Sequence, residues 1–245
     1  MIKKLHLQSL ISKYHLGGLV EAVKWTIKDK HLSIGFTSPN KDMLGELNIK
    51  DIPLEDAEVA IFNTTQLSKL INITNGDLMI EFTKSGKVFN KMVIDDTQFT
   101  VNYSLADLML ISKPPKVNDF TFEIEVPLDK EIINALIKAK NALADINTLT
   151  LKSFEDFGGL PQIEVLFGDD QDYSNKVSYF IKNTITESKN IFSLSFDSDI
   201  IKEILTCNKD CNEGKLYLNL EGLLKLKFIE ENIESEYYIV KKETN

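Results

Sequence analysis

Catalysis, metal binding and phosphate binding each need particular residues at particular spacings, and this chain offers few of them. Its only histidines are His6, His15 and His31, all near the N-terminus, too few and too clustered for a metal centre or a triad built across a fold. No serine stands in a G-x-S-x-G elbow, and neither an H-E-x-x-H helix nor a Walker loop occurs. Cys207 and Cys211 are spaced as half a zinc site. Zinc takes four ligands and the histidines are far away in sequence, so the pair reads as two reduced thiols, and no metal is expected. The acidic run Asp169-Asp170-Gln171-Asp172 lacks the spacing of a calcium-binding EF-hand loop and reads as a solvated loop. Gly158-Gly159 precedes no lysine and opens no helix, which makes it a turn. The remaining acids are scattered over loops and polar strand faces, so the expectation is a protein that is not an enzyme and needs no cofactor.

The lysines carry more information. Four segments have helical periodicity, near Leu5–Leu16, Thr65–Thr74, Asp129–Leu143 and Asp199–Cys207. Residues 1–16 hold Lys3, Lys4 and Lys13 with no acid, and residues 64–75 hold Lys69 alone. Residues 128–143 hold Lys130, Lys138 and Lys140 against Asp129 and Glu131, while Lys202 and Lys209 balance Asp199 and Glu203 in residues 198–209. Together these segments carry five more lysines than acids, so the rest of the chain carries −14 to reach the net charge of −9. Leu7, Leu10, Ile11 and Tyr14 form a core stripe on the first helix, with His6, Ser9 and Lys13 opposite. On the third helix Ile132, Leu136, Ala139 and Leu143 form one stripe, and Lys130, Asn134, Lys138 and Asn141 another. Lys69 with Asn72, and Lys202 with Thr206 and Lys209, repeat the theme. Lysine beside Asn, Ser and Thr, without base-reading arginine or aromatic partners, is chemistry that touches a phosphate backbone without selecting sequence.

The elements around these helices occur twice. Each half reads as a helix, four strands, a second helix and three strands, and such internal repetition constrains the fold more than any single element. Leu67, Leu70 and Ile71 in the second helix of the first half answer Ile201, Ile204 and Leu205 in that of the second. Strand signals fall at Leu19–Ile27, His31–Thr37, Leu44–Ile49, Val59–Phe62, Leu78–Phe82, Lys87–Ile94 and Phe99–Tyr103 in the first half. In the second they fall at Phe120–Val126, Thr148–Phe154, Gln162–Phe167, Val177–Ile185, Ile191–Phe196, Lys215–Leu220 and Leu223–Ile229. The seam is Ser112–Asp119, where Pro114 and Pro115 block helix and interior-strand pairing. The expected organisation is therefore domains at 1–112 and 120–245 joined by a connector at 113–119. Two halves of that size, in a chain 43% apolar, can each bury a core. The N-terminus lacks the continuous apolar stretch of a signal peptide, and no run approaches bilayer length, so a soluble cytoplasmic protein without membrane contact is expected.

With lysine-bearing helices on an acidic, duplicated, strand-rich chain, the sequence resembles the DNA sliding clamps. Within them "EVAIFNTTQLSKLINITNGDLMIEF" (Glu58–Phe82) and "GKLYLNLEGLLKLKFIEENIESEYYIV" (Gly214–Val240) look most like the clamp of the T-even-phage type, a polymerase processivity factor. The resemblance implies an α+β clamp fold of two similar domains, each with two amphipathic helices. Three subunits would form a ring whose helices line a hole occupied by double-stranded DNA, in the host cytoplasm if a bacteriophage encodes it. It implies a replicative DNA polymerase and a clamp loader as partners, with peptides docking beside Ser112–Asp119. The candidate DNA contacts are Lys3, Lys4, Lys13, Lys69, Lys130, Lys138, Lys140, Lys202 and Lys209. The competing reading is a strand-rich phage structural or interaction protein that does not encircle DNA.

Overall fold

The computed structural model describes residues 1–115, 120–155, 161–168, 175–182, 185–186 and 191–243. Two compact units emerge, one of Met1–Lys116 with Glu231–Ser235, the other of Val117–Glu230 with Glu236–Asn245.

In the first unit a two-residue strand β1 (Ile2–Lys3) leads into α1 (Lys4–His15). Four strands follow, β2 (Val23–Lys28), β3 (His31–Thr37), β4 (Met43–Ile49) and β5 (Ala57–Ile61), then α2 (Thr64–Asn72) and β6 (Asp77–Ser85), β7 (Val88–Asp95) and β8 (Thr100–Ser104). All pairings are antiparallel, in the orders β1-β6-β7-β8 and β5-β2-β3-β4. The second unit has β9 (Ile124–Pro127), α3 (Lys130–Ala142), β10 (Thr148–Glu155), β11 (Pro161–Phe167), β12 (Val177–Ile181), the two-residue β13 (Ile185–Thr186) and β14 (Ser193–Asp197). Then come α4 (Ser198–Cys207), β15 (Glu213–Asn219), β16 (Leu223–Glu230) and β17 (Ile233–Val240). Its sheets run β14-β10-β11-β12 and β9-β15-β16-β17, with β13 added outside β9. The strand order of one unit thus reproduces that of the other, β9 standing where β1 stands.

Alternation produces these strands. Along β3 and β4 every second residue is buried, so one face of the pleat meets the core. Each helix closes the same core with an apolar stripe. In the second unit Leu136 of α3, Leu149 of β10, Val165 of β11, Ile201 of α4, Leu216 of β15 and Leu224 of β16 line one residual void of about 10 Å³, so both helices and both sheets meet there. Side-chain caps start three of the helices by answering orphan amides. Asn63 Oδ1 accepts from Gln66 N at 2.7 Å, Asp129 Oδ1 from Ile132 N at 2.8 Å, and Asp197 Oδ1 from Asp199 N at 2.9 Å and Ile200 N at 3.1 Å. Buried polar side chains finish α2 and α4: Thr74 Oγ1 donates to Ile71 O at 2.7 Å and Asn208 Nδ2 to Ile204 O at 2.8 Å.

Three strand expectations shift. The first strand begins at Val23 instead of Leu19, because Leu16 closes α1 with φ at 47° and a short 3-10 turn follows. The Phe120–Val126 signal contracts to Ile124–Pro127. Val177–Ile185 is two strands, β12 and β13, on different sheets. On α3 the buried stripe is Ile133, Leu136, Ala139 and Lys140, one residue away from the expected Ile132 start, since two adjacent isoleucines leave the stripe's phase open. Pro114 of the connector packs against Gly35, where a Cβ would approach its ring to 2.8 Å. Connector residues 116–119, the acidic run 169–172 and Gly158-Gly159 lie outside the described residues. Among the described residues no helix is long and apolar enough to cross a membrane.

Candidate nucleic-acid interface

Each unit presents a pair of adjacent helices, α1 with α2 and α3 with α4. The first pair is antiparallel, because side chains join opposite ends. Lys4 Nζ, at the start of α1, donates to Asn72 O at 2.9 Å and Thr74 O at 2.5 Å, at the end of α2. One turn on, Gln8 Nε2 donates to Asn72 Oδ1 at 2.7 Å. At the other end His15 Nε2 lies 3.1 Å from Thr65 Oγ1 and 3.2 Å from Glu21 Oε1. Glu21 accepts from Thr65 N at 2.9 Å and from the Thr65 hydroxyl. Burial pushes the Glu21 carboxyl up, but its hydrogen bonds from Thr65 and His15 outweigh this and hold it below the usual carboxylate range. In the second unit Lys140 Nζ, near the end of α3, reaches Asp199 Oδ1 at 2.9 Å in the first turn of α4 and Ala144 O at 2.7 Å.

The nine candidate lysines fall into three groups. Lys3, Lys69, Lys130, Lys138 and Lys209 are exposed, and the polar stripe Lys130, Asn134, Lys138 and Asn141 lies fully on the surface of α3. Lys4 and Lys202 are half-buried and already engaged, Lys4 on the last carbonyls of α2 and Lys202 with Glu203 at 3.4 Å. Lys13 and Lys140 are buried, at 0% and 2% exposure. Lys13 was expected opposite the Leu7–Tyr14 stripe and instead lies within it. Side chains so enclosed are not part of the exposed surface of their helices. Both stand two residues before the end of the first helix of their unit. Sequence spacing missed this because a lysine stem is apolar enough to follow a core stripe.

Two acids that dilute the helical charge have a local reason to be there. Glu131 and Asp199 occupy the first turns of α3 and α4, where the positive end of the helix dipole favours a carboxylate. Asp199 is also the partner of Lys140, a role that lysine counting did not reveal. Among the described residues no cluster of His, Cys, Asp or Glu could hold a metal ion, and Cys207 and Cys211 are not disulfide-bonded.

No protein-family model matches the sequence, and no curated protein matches it. Solved structures do. The proliferating cellular nuclear antigen (PCNA) of Entamoeba histolytica superposes with a TM-score of 0.75 at 13% identity, covering 98% of this chain and 96% of that one. A. fulgidus PCNA, solved with the C-terminal region of FEN-1 bound, gives 0.77 at 12% identity over 100% of this chain and 98% of that one. This chain has the DNA-clamp fold. PCNA from Thermococcus kodakaraensis gives 0.74 at 12% identity over 98% and 97% of the two chains, so the clamp fold accounts for both units and not one alone. At such identities the likeness lies in architecture, and side-chain roles must come from this chain's own geometry.

Proposed function

We propose that this chain is the protomer of a sliding clamp that encircles duplex DNA and tethers a replicative polymerase, without catalysing a reaction itself. The observation that carries this reading is the pairing of a full-length clamp fold with exposed lysines on the helices of an otherwise acidic chain. A closed ring cannot leave DNA sideways, so processivity needs no tight contact. A few exposed ammonium groups then give weak, salt-dependent attraction blind to sequence, which permits sliding.

The finer features of the proposal are a homotrimer, a T-even-phage type, an ATP-driven loader and a cytoplasmic site of action. The phage type rests on the sequence pattern at Glu58–Phe82 and Gly214–Val240, the trimer and loader on the resemblance to sliding clamps, and the cytoplasmic site on the reading of Cys207 and Cys211 as reduced thiols. Self-association and peptide docking have parallels in the PCNA2–PCNA3 complex of Sulfolobus tokodaii and in the FEN-1 region bound to A. fulgidus PCNA. Native mass and negative-stain images test the reading. The expected particle is a ring of about three times 27.8 kDa that stimulates processive synthesis after loading. A chain that stays monomeric at high concentration overturns it.

A further inference from the structure

The two units close the same corner of their helix pairs with different chemistry. Thr64 and Ser198, both 0% exposed, open α2 and α4 in equivalent ways. Thr64 Oγ1 donates to Glu21 O at 2.8 Å, and Ser198 Oγ to Ile146 O at 2.9 Å, each tying its helix to the segment between the first helix of the unit and the strand after it, β2 or β10. The following residue, Thr65 or Asp199, is then held by a basic side chain from the last turn of the partner helix. In the first unit that side chain is His15, with Glu21 completing the clasp. In the second it is Lys140, whose side chain is 3% exposed while that of Asp199 is 60% exposed.

We propose that Lys140 is a positioning residue for the DNA-facing surface of the second unit: through Asp199 it fixes α3 against α4 and so sets Lys130 and Lys138 relative to Lys202 and Lys209. It acts without touching DNA, and the proposal rests on the clamp reading. Three features favour a latch over a phosphate ligand. The ammonium is enclosed, it already donates to a carbonyl and a carboxylate, and both acceptors belong to the two helix ends that must be joined. Removing Lys140 alone would leave the Ala144 carbonyl just past α3 without its ammonium donor and would cut the tie from α3 to Asp199 in the first turn of α4, which is 60% exposed.

The test compares Lys140→Met, Asp199→Asn, the double variant, Lys140→Arg and Lys138→Gln in the full-length protein. Duplex affinity is titrated over a range of salt concentrations, and thermal unfolding is followed in parallel. The expected result is that K140M and D199N each weaken duplex binding several-fold, although D199N removes a negative charge. K140R should recover most of that affinity, and the K140M and D199N effects on melting temperature should be non-additive. K138Q, by contrast, should lower the slope of log K against log salt by about 0.9 per phosphate contact removed. D199N that binds duplex as tightly as wild type or more tightly, with K140M weaker, makes Lys140 a phosphate ligand and overturns the proposal, as does additivity in melting temperature. Absence of salt-dependent duplex binding in both wild type and K138Q refutes the clamp reading instead, and the DNA role of Lys140 falls with it.

Discussion

Neutralising Lys69, Lys130, Lys138 and Lys209 to glutamine should flatten the salt dependence of duplex binding without unfolding the protein. These side chains are exposed, and their ammonium groups make no ion pair among the described residues, so nothing internal is lost. Substitutions of that kind usually cost within about 0.5 kcal/mol. Each phosphate contact contributes about 0.9 to the slope of log K against log salt. If one lysine of each type reaches DNA in one copy per ring, wild type should lose about 3.5-fold more affinity than the single variant between 50 and 200 mM salt, by the same relation. If all three copies of a trimer reach it, the excess loss becomes about 40-fold. The assay is fluorescence anisotropy of a labelled duplex with thermal unfolding alongside. Lys28→Gln with Lys91→Gln is the control: both residues are exposed on strands, so this pair removes positive charge away from the helices. An unchanged slope in the helix variants, with their melting temperatures intact, refutes the assignment of these lysines to DNA. An equal drop in the strand control would show that net charge alone, and not the helix face, sets the attraction.

Truncating the equivalent core residues Ile71 and Leu205, at 0% and 2% exposure, to alanine should each cost about 2–5 kcal/mol. Urea titration measures both, with Trp25, the single tryptophan and fully buried, reporting on the first unit. Asp197→Ala removes the carboxylate oxygen that accepts from two backbone amides at the start of α4 and should cost about 1 kcal/mol in the same assay. The Glu21 carboxyl is held below its ordinary value of 4.5. Its contribution is therefore present above that value and lost as pH falls through the lower folded value. Glu21→Gln should be less stable than wild type at neutral pH, with the difference shrinking in acid; a constant difference in melting temperature across pH 7 to 3 would show that Glu21 titrates normally.

The sequence makes the helices and the succession of strands along the chain legible because period and alternation are local signals. The stripe Leu7, Leu10, Ile11 and Tyr14 is buried as its spacing requires, and His31–Thr37 is a strand over that whole span. What spacing does not convey is which way a long amphipathic side chain turns. Lys13 and Lys138 look alike on a helical projection, yet one is enclosed and the other exposed. That distinction depends on neighbours brought close by the fold, as Asp199 is brought to Lys140 across 59 positions of chain. The adjacent pair Ile132 and Ile133 fails for a simpler reason: either can lead the stripe, and only the packing of α3 selects Ile133.

The buried ends of α2 and α4 bear on why resemblance by residue identity is so faint here. Thr74 and Asn208 carry different groups, a hydroxyl and an amide, yet each donates to a carbonyl three or four residues back. At the helix starts a threonine and a serine hydroxyl perform matching tasks. What the two halves have in common is thus a set of unanswered backbone groups, each of which several residue types can satisfy. A lineage constrained in this way is free to exchange letters while its geometry stands still. The chain preserves two such solutions side by side, so each half serves as a ready list of replacements that the other should tolerate.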